Sequence, residues 1–218
     1  MMKSDLTIDT LQREAKTFAD LESHHEEPSL YGITDGKAVG TYLELKFKAY
    51  LKALYNYEMG NVALGIDFPS LEVDMKVTSV RQPQSSSPFR SARQKIFGLG
   101  YNLLIFVYEK IDFYSTQSSQ LNIVHTIFVQ KEKTADYQMT RGILGILSNN
   151  GNRDDLIAFM LERNLPVDDI EVERIADEIL VKPPTQGYLT ISNALQWRLQ
   201  YSRVIQEAGQ INGIFKIR

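Results

Sequence analysis

The chain has 218 residues, of which 43% are hydrophobic and 23% are charged, so it can bury a core and wholesale disorder is excluded. It contains no cysteine, which excludes a disulfide scaffold, a thiolate metal site and a cysteine nucleophile. The formal net charge of -3 argues against a surface coated in basic residues, although a local group of Lys and Arg side chains can still bind DNA.

Apolar spacing divides the first part of the chain into helices followed by strands. Helices are predicted where apolar side chains recur three and four residues apart, and strands where short apolar or alternating runs lie between turn residues. The first expected elements are a helix over residues 6–21, a helix over residues 41–58, and extended runs over residues 62–68 and 71–79 that are joined around Pro69 and Ser70. A loop over residues 81–87 follows, and then a helix that begins at Pro88 and ends by Gly98 or Gly100. Strands are expected over residues 103–108 and 121–129.

From residue 136 onward the chain is predicted to be mainly helical. The expected helices cover residues 137–147, 154–163, 168–180 and 192–207. We therefore predict an α/β fold with a central mixed β-sheet flanked by helices and a helical carboxy-terminal layer. Residues 1–218 are expected to form a single domain, with a catalytic core at about 41–130 and the helical part at about 136–218.

The predicted strand that begins at residue 71 carries an unusual row of charges. Side chains alternate between the two faces of a strand, so one face is apolar and the other is charged. The apolar face comprises Leu71, Val73, Met75 and Val77, and the polar face comprises Glu72, Asp74, Lys76 and Thr78. Three charges on one face of a central strand are costly unless something there uses them. The turn at Pro69 and Ser70 would bring Asp67 close to Asp74, and two carboxylates beside an ammonium suit Mg²⁺.

These residues resemble the PD-(D/E)xK nuclease superfamily, and type II restriction endonucleases in particular. The family pattern is an aspartate on one strand, followed on the next by Asp or Glu, any residue and Lys. Asp67 matches the first aspartate, and Asp74-Met75-Lys76 matches the second half. A helix that often carries a glutamate precedes both strands in the family, and Glu44 is the candidate for that residue here.

The chain departs from this family pattern in two respects. Ile66 stands where the family often has proline, and the spacing from Asp67 to Asp74 is short. Glu72 is a competing acid on the same predicted face as Asp74. The acid-x-Lys tripeptide is not specific by itself, because it also occurs at residues 14–16, 35–37 and 44–46.

The resemblance implies Mg²⁺-dependent, sequence-specific cleavage of double-stranded DNA in a restriction–modification system. The products would carry a 5′-phosphate and a 3′-hydroxyl. Asp67 and Asp74, with the Met75 carbonyl, would hold Mg²⁺, which would polarise the scissile phosphate and activate a water molecule. Lys76 would orient that water and stabilise the charge that develops on the phosphate.

Side chains that can contact DNA follow the charged strand directly. Gln and Arg can read base edges, and Lys and Ser can hold phosphates, so a loop leading into a basic helix is a candidate DNA-reading element. The candidates are Arg81, Gln82, Gln84, Arg90, Arg93 and Lys95. An ordinary solvated loop and helix face would have the same composition. A weaker second candidate group is Gln186, Gln196, Arg198 and Arg203, around the last predicted helix, although an ordinary exposed helix surface explains these residues more simply.

Two further function classes fit the same residues. The chain could be a non-catalytic DNA-binding protein in which Asp67, Asp74 and Lys76 form a structural ion-pair cluster, or a structure-specific repair nuclease of the same fold. A restriction-type enzyme would be a homodimer, since palindromic duplex sites are read by two-fold symmetric proteins. No apolar run approaches the roughly 18 to 20 residues that cross a bilayer. We therefore expect no membrane partner. The absence of cysteine suits a reducing cytoplasm, and the resemblance to restriction endonucleases implies a prokaryotic one.

Overall fold

The protein divides into two compact units. A computed structural model describes residues 3–58, 60, 65–88, 90–193 and 196–218. The first unit comprises Met1–Gln84, Asn102–Val129 and Glu207–Arg218, and the second comprises Ser85–Tyr101 and Gln130–Gln206. The two units do not follow the expected division into a core at about 41–130 and a helical part at about 136–218. Residues 85–101 belong to the second unit, and residues 207–218 belong to the first.

The described residues contain both helices and strands, and three helices over residues 137–181 follow one another without an intervening strand. The helices are α1 (Ile8–Glu22), α2 (Gly36–Leu54), α3 (Gln94–Phe97), α4 (Tyr137–Ser148), α5 (Arg153–Glu162), α6 (Asp169–Val181) and α7 (Ser202–Glu207). The strands are β1 (Ser4–Asp5), β2 (Glu26–Glu27), β3 (Tyr55–Asn56), β4 (Val73–Ser79), β5 (Gln84–Pro88), β6 (Asn102–Phe113), β7 (Ser118–Val129), β8 (Thr190–Ile191), β9 (Gln196–Gln200) and β10 (Ile214–Lys216). No helix of the described residues is both long enough and apolar enough to span a membrane.

The first unit is built on a mixed sheet. Its strand order is β10-β7-β6-β4, and β2 also pairs with β7. β4 runs parallel to β6, whereas β7 runs antiparallel to β6, so the predicted mixed sheet of an α/β fold is confirmed. The buried run at residues 103–108 and its partner at residues 121–129 are also confirmed as strands, and both are longer than expected.

Helices α1 and α2 pack on one face of this sheet. Val39, Leu43, Phe47 and Leu51 lie four residues apart on α2 and are all fully buried. The Phe47 ring meets the Phe106 ring of β6 edge to face, with 5.2 Å between centroids. This packing fixes the position of α2 relative to β6, and therefore relative to β4 beside it.

The predicted boundaries of α2 and of the following hairpin need correction. α2 begins at Gly36, where the Asp35 side chain caps it, and it ends before Tyr55, which pairs with Ser4 in a small parallel sheet. Residues 62–64 of the expected extended run lie outside the described residues. Within residues 65–68, only Phe68 forms a β-bridge, with Val73, and Pro69–Leu71 is a short 3₁₀ helix.

The second unit contains more β-structure than the predicted helical layer. Three helices are confirmed as α4, α5 and α6, but the expected helix over residues 192–207 is wrong: strand β9 and the short helix α7 occupy that region. β9 lies between β5 and β8 in a three-stranded sheet. Trp197, Leu199 and Tyr201 alternate with exposed Arg198 and Gln200, which is the two-residue period of a strand.

The expected loop and helix that follow β4 are also different in the structure. Residues 84–88 form β5, so Pro88 ends a strand and does not begin a helix. The helix that Gly98 terminates is confined to α3, a single turn. The physical reason is pairing with β9, more than a hundred residues away, which local composition does not reveal.

Candidate active site

Asp67 lies on a tight return of the chain immediately before β4. The Gly60 amide donates to the Asp67 carbonyl oxygen at 3.0 Å, and the Phe68 amide donates to the Val73 carbonyl at 2.9 Å. A Cβ atom at Gly60 would lie 1.8 Å from the Ile66 carbonyl oxygen, so only glycine fits this approach of the two backbones. These contacts hold the Asp67 backbone in place from both sides.

β4 presents Asp74 and Lys76 on one face, as the alternating pattern predicted. Val73 and Met75 point the other way and belong to the buried core with α1 and α2. Asp74 is only 4% exposed, and its Oδ2 lies 2.8 Å from the Lys76 ammonium. A carboxylate this deeply buried is stabilised by such a partner, since an isolated buried charge would be costly.

Asp67 contacts three groups of the first unit. Its Oδ1 accepts from the Lys48 ammonium at 2.5 Å, and its Oδ2 accepts from the Met75 amide at 2.8 Å. The Asp67 and Asp74 carboxyl groups also hydrogen-bond to each other. The result is a row of four side chains, Lys48–Asp67–Asp74–Lys76, in which each carboxyl group has its own ammonium.

The two carboxyl groups titrate in opposite directions. Burial is the main cause that raises the pKa of Asp74 to about 7; the Lys76 ammonium opposes the rise, and the neighbouring Asp67 adds to it. Burial also acts to raise the pKa of Asp67, but hydrogen bonds from Lys48, from Asp74 and from the Met75 amide outweigh it, so that pKa is lowered. The pair therefore takes up one proton with an apparent pKa of about 7, and below that pH the two carboxyl groups share it.

Glu44 belongs to the same electrostatic cluster. Its pKa is raised, first by burial and then by the negative charge of Asp67, while the Lys48 and Lys76 ammonium groups act in the opposite direction. Glu44 and Lys48 lie one turn apart on α2 and therefore face the same side of the helix. The structure thus brings Glu44, Asp67, Asp74 and Lys76 together, although 32 positions separate Glu44 from Lys76 in the sequence.

The backbone of Met75 supplies a further oxygen to this site. In a strand, the amide and the carbonyl of one residue point to the same edge. Because the Met75 amide donates to Asp67, the Met75 carbonyl also points to the side on which Asp67 lies. In the described part of the chain, β4 ends the strand order of its sheet, so that edge is not covered by another strand of the sheet.

The donor set fits a divalent cation that prefers oxygen. Two adjoining carboxylates repel each other when both are ionised, and a cation between them would relieve that repulsion and replace the shared proton. Among the described residues, no group of three or more His, Cys, Asp or Glu side chains forms a metal cluster. The fit therefore rests on two carboxylates, the Met75 carbonyl and the substrate itself, a sparse set of the kind that Mg²⁺ accepts.

The structure differs from the sequence-based expectation at two residues, Glu72 and Lys48. Glu72 is exposed, adopts a left-handed conformation with φ of 51° and ends the 3₁₀ helix before β4, so it does not lie on the strand beside Asp74. Lys48 was not predicted as a site residue, yet it makes the ion pair with Asp67. Its position four residues after Glu44 on an amphipathic helix was the only sequence signal that could have identified it.

The predicted DNA-reading residues of the first unit lie at the end of β4. Arg81 and Gln82 are exposed in the turn between β4 and β5. The Gln84 amide donates to the buried Thr78 hydroxyl at 2.9 Å, and that hydroxyl also contacts the carbonyl oxygens of Gln82 and Gln84. Thr78 therefore organises the turn that presents Arg81 and Gln82 to solvent.

The predicted DNA-reading residues of the second unit have different environments. Arg90 is exposed, whereas Arg93 forms ion pairs with Glu178 and Glu171 of α6. Lys95 is 5% exposed and its ammonium donates to the Asn193 side chain, so it does not reach solvent as a basic helix would require. Of the three, Arg90 is exposed, Arg93 is partly exposed and paired with acids, and Lys95 is buried.

Comparison with known proteins places the whole chain in one group. The family model for type II restriction enzyme NspV matches residues 5–216. The type II restriction enzyme NspV of Nostoc sp. (strain ATCC 29411 / PCC 7524) is 66% identical over 212 residues, which cover 97% of this chain and 96% of that protein. No solved structure matches the chain. The matched region contains every residue of the cluster described above.

Proposed function

Because the chain belongs to the type II restriction enzyme NspV family, we propose that it hydrolyses DNA at the cluster formed by Glu44, Lys48, Asp67, Asp74 and Lys76. We refer to this cluster as the carboxylate–lysine site. Family membership makes the chain a sequence-specific DNA endonuclease of a restriction–modification system. The observation that supports the location is that two hydrogen-bonded carboxyl groups, each paired with an ammonium, meet beside the edge strand β4.

We propose that Asp67, Asp74 and the Met75 carbonyl hold Mg²⁺. When bound, the metal would supply Lewis acidity to the scissile phosphate. Asp74 must lose its proton to act as a ligand, and its neighbour Lys76 then remains as the ammonium nearest to that carboxylate. Lys76 is placed to orient the attacking water and to stabilise the charge that develops on the phosphate.

Lys48 and Glu44 have supporting roles in this proposal. Lys48 holds Asp67 Oδ1 in the metal-free protein and keeps that carboxyl group ionised, so that a ligand is ready before the cation arrives. Glu44, whose raised pKa reflects burial and the neighbouring charge of Asp67, can accept a proton from a water molecule at this site. Hydrolysis by this route would leave a 5′-phosphate and a 3′-hydroxyl.

Cleavage of plasmid DNA tests the assignment directly. Discrete fragments should form with Mg²⁺ and disappear with EDTA, and a DNA ligase should rejoin them without prior phosphorylation if the 5′-phosphate is retained. Lys76→Ala should abolish cleavage while DNA binding is largely kept. Lys110→Ala is the matched control, because Lys110 also pairs with an aspartate two residues away on a strand. Substantial cutting by Lys76→Ala, or equal losses in both variants, would contradict the proposal.

Three finer expectations complete the proposal. Arg81, Gln82 and Gln84 of the first unit and Arg90 of the second are proposed to contact double-stranded DNA. A homodimer is expected because a palindromic site is read with two-fold symmetry, and sedimentation of the purified protein would test it. We also infer action in the cytoplasm of a prokaryotic cell, where a restriction enzyme meets incoming DNA; cell fractionation would test this.

A further inference from the structure

A group of cations surrounds two tyrosine rings in the second unit. The guanidinium carbon of Arg203 lies 3.6 Å from the centroid of the Tyr137 ring, and that of Arg141 lies 5.9 Å from the same ring. The Lys133 ammonium lies 5.9 Å from the centroid of the Tyr188 ring, and the two tyrosine rings are 5.9 Å apart. We call these five residues the cation–tyrosine cluster.

The cation–tyrosine cluster is held by a rigid backbone framework. The Tyr137 amide donates to the Leu189 carbonyl at 2.8 Å, and the Tyr188 amide donates to the Lys133 carbonyl at 2.9 Å. Arg141 lies one turn after Tyr137 on α4 and donates to its hydroxyl at 3.3 Å. The charged groups are therefore positioned before any ligand binds, which lowers the entropy lost on binding.

The three cations are not neutralised within the described part of the chain. Lys133, Arg141 and Arg203 form no ion pair there, whereas the half-buried Arg153 of the same unit pairs with both Asp177 and Glu173. Acidic residues outnumber basic ones in this protein, 27 to 24, so acidic partners are not scarce.

Arg203 carries the strongest sign of a role beyond packing. Its Nε is buried and has no hydrogen-bond acceptor among the described residues. An unsatisfied buried donor costs stability, and an arginine retained only for structure is ordinarily satisfied by carboxylates or carbonyls. Here the guanidinium is held by stacking on Tyr137, without a counter-charge.

We propose that the cation–tyrosine cluster binds the phosphate backbone of the substrate DNA. The inference rests on the proposed function, since it assumes that duplex DNA is the substrate. Lys and Arg side chains that neutralise phosphates release counterions, and tyrosine hydroxyls donate to phosphate oxygens. The second unit would thereby contribute affinity that does not depend on the DNA sequence. Other residues of the protein would read the bases.

Salt-dependent DNA binding tests this inference. The full chain is titrated against fluorescent duplexes in EDTA at about 50 to 200 mM salt, using one duplex with the cleavage site and one with a scrambled sequence. Arg141→Gln and Lys133→Gln should each make the slope of log K against log salt less steep by about one, and the double variant by about two. The affinity loss should be the same for both duplexes, because phosphate contacts carry no sequence information.

Arg153→Gln is the matched control, since it removes a half-buried arginine that is already paired with acids, and its slope should equal that of the wild type. The DNA affinity of Arg203→Gln is measured together with its thermal unfolding, because the loss of the guanidinium packed on Tyr137 can lower stability. If that variant unfolds, the variants at the exposed Arg141 and the half-buried Lys133 still decide the test. A wild-type slope in the double variant, or a loss confined to the duplex with the cleavage site, would overturn the inference. If the wild type neither binds nor cuts DNA, the proposed function itself fails.

Discussion

Replacing Asp74 with asparagine should make the metal-free protein more stable at pH 8 while abolishing cleavage. Asp74 has its pKa raised from 3.8 to about 7, so the folded state favours the protonated form. Stability is therefore lost as the pH rises from about 4 to 7, and the whole loss is present above pH 7. An amide has the shape of the protonated carboxyl group and carries no charge to bury.

The magnitude follows from the same pKa. A rise from 3.8 to about 7 corresponds to about 4 kcal/mol at pH 8, at roughly 1.4 kcal/mol for each pH unit. The pKa of about 7 already includes the attraction of the Lys76 ammonium, 2.8 Å from Asp74, so the loss of that ion pair is not subtracted a second time. We therefore expect a stabilisation of up to about 4 kcal/mol at pH 8 and less than half of that at pH 5, where most of the raised-pKa penalty is absent.

Urea unfolding in EDTA, followed by circular dichroism at pH 5 and pH 8, measures the difference. Asp67→Asn is the matched control and should be destabilising at pH 8, because the pKa of Asp67 is lowered and its charge contributes stability at neutral pH. Added Mg²⁺ should stabilise the wild type but not Asp74→Asn. The reasoning is refuted if Asp74→Asn is less stable than the wild type at pH 8, or if its effect is the same at both pH values.

Three further substitutions give independent expectations. Lys48→Met should raise the pKa of Asp67 and slow cleavage about ten- to hundredfold, by loss of a charge-assisted hydrogen bond; Lys48→Arg should restore part of the rate, and a wild-type rate in Lys48→Met would contradict the role. Gly60→Ala should reduce cleavage strongly, because its Cβ would meet the Ile66 carbonyl oxygen and displace Asp67; wild-type activity at equal stability would exclude this effect. Phe47→Ala should lower the free energy of unfolding by about 3 to 5 kcal/mol in urea titrations, and a cost below about 1 kcal/mol would mean that its ring is not a core contact.

Local patterns were sufficient for the charged strand and its neighbours. The alternation of Val73, Asp74, Met75 and Lys76 predicts which side chains share a face, because a strand has a period of two whatever it pairs with. The continuous apolar run in β6 likewise predicts a strand buried on both faces. The pairing of Asp67 with Asp74 was also within reach, since a short return of the chain connects them.

Contacts between distant segments were outside the reach of such patterns. Strand β9 lies in a segment that is predicted to be helical. The prediction is wrong because the alternation of Trp197, Leu199 and Tyr201 is too short to identify a strand by itself. Pairing with β5 and β8 makes the segment a strand. The composition around Lys95 is that of a basic helix, yet the folded chain buries it against Asn193.

The candidate active site shows most clearly which features follow from the sequence and which require the tertiary structure. By itself the sequence determined that Asp74 and Lys76 share a face of β4 and that Asp67 returns towards them, since these relations depend on spacing and on one turn. Only the tertiary structure decided that Lys48 binds Asp67 and that Glu44 joins them, because α2 is positioned by its packing against β6. Burial in the folded chain also raises the pKa of Asp74, a property of the surroundings that no tripeptide encodes.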